Sequence, residues 1–277
     1  MDKNQLRSLI RSFLVEDIGR GDLTSESIFD SSQTGTARLV ARESCIAAGA
    51  GTVAAEVFKV QNQGLETIGA MEDGTAVQPG DVMLTIAGPV VDMLKAERIA
   101  LNLLQRLCGI ATMTRRFVDK VKPHPARITD TRKTTPGLRA LEKYAVQVGG
   151  GYNHRFNLTD GVLIKDNHIA ACGSITEAVA RVRKKIPHTI RIEVETDTLE
   201  QVQECLASRV DIIMLDNMDL QTMKKAVEII DHRAMVEASG GVKLGSVFDI
   251  AATGVDIISV GALTHSAPAC DIGMDWS

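Results

Sequence analysis

The sequence predicts an α/β protein, with a barrel-like parallel sheet in its second half and a small α+β domain before it. Three observations carry this. Short apolar runs recur after residue 120, each ending in a polar or charged residue. Most are followed by an amphipathic stretch, the signature of repeated βα units. The first half lacks this rhythm and mixes strand, helix and turn signals.

The runs are Arg127–Thr131, Gly161–Lys165, Ile190–Glu195, Val210–Asp216, Ala234–Ser239 and Val255–Gly261. Each is short and rich in Ile, Val, Leu or Met, as strands buried on both faces are. From Glu195 onward their ends recur every 21 to 23 residues. Ser174-Ile175-Thr176-Glu177 has the form of a capping box ahead of a helix over Ala178–Ile186. Asp197 and Asp219 read as N-caps of helices ending near Ala207 and Ile230. Six strands joined by right-handed crossovers suit an open doubly wound sheet or a closed or incomplete barrel. The barrel is favoured, because the functional-looking residues sit at many strand ends and not at one switch point.

In the first half, Thr36–Arg42 reads as a strand and Gly51–Lys59 as a short helix. The turn Gln78-Pro79-Gly80-Asp81 leads into a strand over Val82–Ala87. Val91–Val121 is a long helical stretch with Leu94, Ile99, Leu103, Leu104 and Leu107 on one face. Gly109 marks a break in it, so the boundary falls between residues 1–108 and 109–265.

Composition narrows the function. The 277 residues are 44% hydrophobic and 24% charged, the balance of an ordinary globular protein. Thirty-one Lys and Arg against 35 Asp and Glu leave a net charge of −4, which argues against nucleic acid as a partner. An aromatic content of 3% offers no base-stacking platform. Five scattered cysteines without a C-x-x-C pair predict neither a disulfide framework nor a zinc site. The start of the chain has no basic-then-apolar pattern, and no run reaches 18 apolar residues. The expectation is a cytoplasmic protein without a membrane partner.

Against this acidic background, Arg127–Lys165 carries seven cations and three carboxylates. Arg132 and Lys133 follow a strand, Lys165 ends one, and His154 and Arg155 follow Gly149-Gly150-Gly151. Cations at neighbouring strand ends converge on one anionic ligand, the arginines as two-pronged forks and the lysines as point charges. The glycine triplet lacks both nucleotide-binding patterns, and a simple turn explains it equally well. Glu195 and Asp216 end strands one βα unit apart, with Glu193 alternating behind Glu195. Such carboxylates suit Mg²⁺ shared with substrate phosphates, or ion pairs with Arg132, Lys133 or Lys165. Ser239-Gly240-Gly241 and Gly261-Ala262 leave backbone N–H groups at the rim for an anion. His124, His188 and His232 read as surface residues, while His168 lies close to the rim.

These stretches resemble a known family. Thr131-Arg132-Lys133-Thr134-Thr135-Pro136-Gly137, Gly149 through Arg155 and Ile164-Lys165-Asp166-Asn167-His168 are similar to motifs of the quinolinate phosphoribosyltransferases, of the type II phosphoribosyltransferase fold. The resemblance runs from Glu16 to the Asp271-Ile272 tail; Asn157 departs from it, where the family often has glycine. It implies an N-terminal α/β sandwich, hammerhead-like and joined by residues 266–277, packed on an incomplete α/β barrel. It implies quinolinate and 5-phosphoribosyl 1-diphosphate as substrates, Mg²⁺ as cofactor, and a homodimer in which Arg98 is donated across the interface. Lys133, Lys165, Glu195 and Asp216 take the catalytic positions. The substrate-binding set is Arg98, Thr131, Arg132, Lys133, His154, Arg155, Lys165, Glu195, Asp216, Ser239, Gly240, Gly241, Gly261 and Ala262. Glu195 and Asp216 take the metal positions, directly or through water or substrate.

Two other readings compete. A paralogue of the same fold would act on another pyridine carboxylate or serve a molybdenum-cluster-associated role. A biotinyl-like carrier is suggested by Gly74–Gly88, but that stretch has no lysine beside a methionine.

Overall fold

The computed structural model describes residues 2–276. Two units divide the chain. One comprises the stretch to Arg115, Ala140–Gly150 and the stretch from Ala267; the other comprises Arg116–Arg139 and Gly151–Ser266.

The first unit opens with helices α1 (Lys3–Ile18) and α2 (Leu23–Ile28), N-capped by the carboxylates of Asp2 and Asp22. Leu6, Ile10 and Leu14 form the buried stripe of α1, at the helical spacing of an amphipathic face. Strand β1 (Thr34–Ala41) and the two-residue β2 (Cys45–Ile46) follow. A π-helical turn over Ala50–Ala54 then runs into α3 (Ala55–Gln61). Next come β3 (Glu66–Ala70), β4 (Ala76–Val77) and β5 (Val82–Pro89). β1, β5 and β3 form an antiparallel sheet. The other edge of β1 is taken by a strand at Ile272–Trp276, with Ala37 opposite Trp276 and Ala41 opposite Ile272. The tail is thus part of this sheet.

Helix α4 (Val90–Val121) is continuous for 32 residues, which corrects the expected break at Gly109. Glycine has a different task there. A Cβ at Gly109 would lie 1.9 Å from the carbonyl oxygen of Pro268, so only glycine lets the returning tail cross the helix. The tail is fastened nearby. Arg106 Nη1 donates to the Ala267 carbonyl at 3.0 Å and Gln105 Nε2 to that of Ile272 at 2.8 Å. Arg106 also reaches the buried Glu142 carboxylate at 2.8 Å.

The second unit holds the predicted parallel sheet. It starts with strand β6 (Arg127–Thr129); helix α5 (Arg139–Val148), next in the chain, belongs to the first unit from Ala140 on. β7 (Val162–Ile164), α6 (Asp166–Cys172) and α7 (Ile175–Arg183) come next. The series continues with β8 (Ile192–Thr196), α8 (Leu199–Ala207), β9 (Ile212–Asp216), α9 (Leu220–Ile230) and β10 (Met235–Ser239). It closes with α10 (Val247–Ala251), β11 (Ile257–Ser259) and α11 (Ala262–His265). All six expected strands form, parallel, in the order β6-β11-β10-β9-β8-β7. No ladder joins β6 to β7, so the barrel is incomplete. Asp219 caps α9 as read; Ser174 caps α7, which starts at Ile175 and not at Ala178, while the Glu177 carboxylate accepts from Arg181 Nε. The cap of α8 is Thr198, not Asp197. Thr198 forms a reciprocal box with Gln201, and that option satisfies two orphan donors at once. Among the described residues, no helix is long and apolar enough to cross a membrane.

Candidate functional site

The C-terminal strand ends of the second unit surround a cavity of about 530 Å³. Thr131, Arg132 and Lys133 reach it from the loop after β6, and His154 and Arg155 from the loop before β7. Lys165 and Glu195 enter from β7 and β8, Asp216 from β9, and Ser239, Gly240 and Gly241 from β10. Gly261 and Ala262 lie at the start of α11, where a Cβ on Gly261 would come 3.1 Å from Lys133 Cδ. Thr264 Oγ1 donates to the Lys133 carbonyl at 2.8 Å, tying that loop to α11. Arg98 belongs to the first unit, exposed on α4.

The loop carrying His154 and Arg155 is zipped to β6. Tyr152 N donates to the Ile128 carbonyl at 2.8 Å, and Asp130 N to the Tyr152 carbonyl at 3.1 Å. The buried Asp130 carboxylate then accepts from His154 N at 2.9 Å. Arg155 is held at its far end by the Gly161 carbonyl, 2.8 Å from Nη1. Burial, and then the neighbouring Arg132 cation, push the Arg155 guanidinium below its ordinary pKa. The Nε of Arg132 is buried without a hydrogen-bond partner. Two confined arginines with an orphan donor make a site that an anion stabilises.

Three further cations of the basic stretch do not line this cavity. Arg127 stacks on the Tyr152 ring, 5.0 Å from its centroid, and Lys143 is buried in the first unit. Arg139 is a brace: it donates to Thr134 Oγ1 and the Phe156 carbonyl, both at 2.9 Å. The glycine triplet has a packing role. A Cβ on Gly149 would meet the Ala111 carbonyl at 2.5 Å, and Gly150 has φ +93°. Asn157 accepts from Thr159 N at 2.8 Å in a local turn, without a positive φ, so this backbone does not require glycine there. His168 Nδ1 accepts from Lys165 N at 2.9 Å, which fixes the β7 exit.

The carboxylates split between two levels. At the rim, Glu195 Oε2 pairs with Lys165 Nζ at 2.9 Å, and Asp216 Oδ2 accepts from Asn217 Nδ2 at 2.5 Å. Below them, Glu193 and Glu237 are buried in the barrel interior beside His154. Burial first, and then the Glu193 charge, raise the Glu237 carboxyl from 4.5 to about 7. The folded chain therefore keeps a proton that the unfolded chain releases, and stability falls as pH rises through that window. Glu237→Gln removes the titration. Its melting temperature should gain on that of the wild type between pH 5 and 7.5; parallel melting curves at both pH values would contradict this.

Sequence reasoning missed Glu237 and Asn217, which both line the cavity. Glu237 had a signal, since it stands two residues before Ser239 on one strand and so faces the same way. Asn217 adopts φ +55°, a left-handed conformation that asparagine tolerates. The Gly240 Cα faces its carboxamide so closely that a Cβ would lie 2.2 Å from Asn217 Oδ1.

An α/β barrel whose strand ends hold paired arginines, two lysines and two carboxylates defines a class of enzyme handling small polyanions. The particular family follows from comparison. Residues 22–108 match the quinolinate phosphoribosyl transferase N-terminal domain model, and residues 110–275 the C-terminal domain model. The probable nicotinate-nucleotide pyrophosphorylase [carboxylating] of Bacillus subtilis is 48% identical over 275 residues, covering 99% of this chain and 94% of the relative. The nicotinate-nucleotide pyrophosphorylase [carboxylating] of Mycobacterium leprae is 44% identical, covering 97% and 96%. The crystal structure of NadC from Streptococcus pyogenes superposes with a TM-score of 0.95 at 39% identity, covering 100% of this chain and 99% of that one. The chain belongs to the quinolinate phosphoribosyltransferase family.

Proposed function

We propose that the chain transfers the phosphoribosyl group of 5-phosphoribosyl 1-diphosphate to quinolinate with loss of CO₂. The products are nicotinate mononucleotide and diphosphate, a step of de novo NAD biosynthesis. The observation that carries this reading is the pair Arg132 and Arg155 with Lys165 around one cavity. Two carboxylates on adjacent ring carbons need several separate cations, whereas a monocarboxylate needs one fork.

The chemistry then follows from placement. Arg132, Arg155 and Lys165 hold the dicarboxylate, with His154 beside them. Lys133 faces the anions of the donor. Gly240 and Gly241 both have positive φ, a turn that presents backbone N–H groups to the 5′-phosphate, with Ser239, Gly261 and Ala262 adjoining. The C1–O bond to diphosphate breaks with its electron pair leaving on oxygen, and the pyridine nitrogen forms the new bond to C1. The quaternised nitrogen stabilises the electron pair left at C2 as its carboxylate departs as CO₂, and a proton from water completes the product. Positioning and charge stabilisation supply the acceleration, without a covalent enzyme intermediate.

The hard oxygen donors of Glu195 and Asp216 fit Mg²⁺. When bound, that ion neutralises diphosphate charge. Glu195 Oε2 also pairs with Lys165 Nζ at 2.9 Å.

The deciding assay supplies Mg²⁺ and 5-phosphoribosyl 1-diphosphate with either quinolinate or nicotinate. Nicotinate mononucleotide and CO₂ from quinolinate alone is the expected result; product from nicotinate alone overturns the dicarboxylate reading. We further read the assembly as a homodimer in which Arg98 of a second copy completes the clamp. Mixing inactive Arg98→Ala chains with inactive Lys165→Ala chains should then restore activity, because each mixed dimer keeps one intact site. Verified mixed dimers without recovery would count against Arg98 being shared.

A further inference from the structure

The two buried glutamates inside the barrel have no part in the chemistry above, yet they are costly to bury. Glu193 on β8 and Glu237 on β10 are 3% and 1% exposed. Their carboxyl oxygens and the His154 ring nitrogen lie within 4.8 Å of one another. Each glutamate also has one buried oxygen, Oε1, without a hydrogen-bond partner. Burying two carboxyls side by side is costly, and apolar residues of similar volume are commonly the more stable choice. Something other than stability keeps them there.

The geometry of His154 indicates what. Its Nδ1 accepts from the backbone N–H of Arg155 at 2.9 Å. An acceptor at Nδ1 places the ring proton on Nε2. Nε2 lies 3.2 Å from Glu193 Oε2 and 3.5 Å from Glu237 Oε1. Both ring nitrogens therefore face the protein. One end of the imidazole meets the Glu193 carboxyl, with that of Glu237 behind it, and the other holds the backbone of an arginine that borders the cavity.

We propose that Glu193, backed by Glu237, is a positioning residue for the dicarboxylate clamp: it holds His154 at Nε2, and His154 fixes the backbone from which Arg155 reaches toward the ligand. This rests on the quinolinate reading above and changes the part played by His154, from ligand contact to strut. Asp130 secures His154 N and Gly161 the Arg155 guanidinium, and the imidazole adds a tie at Arg155 N.

Steady-state kinetics of the full chain with both substrates and Mg²⁺ test this. Glu193→Leu keeps the volume and removes the acceptor. It should raise KM for quinolinate roughly 10- to 100-fold, the cost of a displaced clamp residue. KM for 5-phosphoribosyl 1-diphosphate should stay within about twofold, since that substrate meets other residues. Glu193→Gln should restore near-wild-type values, because its carbonyl still accepts from Nε2 and its NH₂ donates to Glu237. Both KM values rising together, an unchanged quinolinate KM in Glu193→Leu, or no rescue by glutamine would overturn the proposal. A measurement on the unaltered protein guards against a variant that does not fold. Imidazole ¹⁵N shifts, assigned by loss of the signal in His154→Gln, should show Nε2 protonated and Nδ1 bare; the opposite tautomer overturns the proposal. Failure of the wild type to use quinolinate would instead defeat the underlying reading, while the tautomer measurement would still decide the strut.

Discussion

Arg132→Ala is expected to lower kcat/KM for quinolinate by about 2–5 kcal/mol, roughly thirtyfold or more, with the protein still folded. The guanidinium sits at a strand exit whose backbone is independently secured by Arg139 and Thr264, so truncation leaves the loop in place. Its buried Nε lacks a partner in the free protein, and a bound carboxylate supplies one. Removing it also takes one fork from the cations that line the cavity. Arg132→Lys should recover only part of the loss, since an ammonium lacks the two-pronged geometry. Steady-state kinetics with quinolinate varied decide the matter; unchanged kcat and KM would remove Arg132 from the clamp.

Gly109→Ala should destabilise the first unit by about 3 kcal/mol, although alanine is the better helix former by about 1 kcal/mol. Sterics win because the obstruction is backbone. The added methyl would stand 1.9 Å from the Pro268 carbonyl oxygen, and the tail has to lift to make room. Lifting it strains the bond from Cys270 N to the Gln105 carbonyl and both side-chain ties from Gln105 and Arg106. Chemical denaturation would show this as an earlier transition; a variant as stable as the wild type would mean the tail yields freely.

Much of this was legible in the sequence, and for identifiable reasons. The six strands are short apolar runs that end in charge, and parallel strands buried on both faces have to look that way. Arg132, Lys133, Lys165, Glu195 and Asp216 could be placed on the rim because each ends or follows such a run. What was hidden depends on contacts distant in sequence. Nothing near Gly109 says that residue 268 will press against it. Thr198 displaced Asp197 as the cap of α8 because Gln201 returns the hydrogen bond. Glu237 was overlooked inside a run read as apolar, although its strand neighbour Ser239 marked the inward face.

The pairing of β1 with Ile272–Trp276 has a consequence for how the protein is made. Arg42, just after β1, is joined to Asp275 across a separation of 233 residues. The sheet begun first during synthesis is therefore completed only after the barrel sequence has been translated. Until then β1 has an open edge, which invites pairing with other chains. Nascent domains ordinarily settle in order from the N-terminus; here the parallel sheet can form first, and the early sheet waits for its last strand.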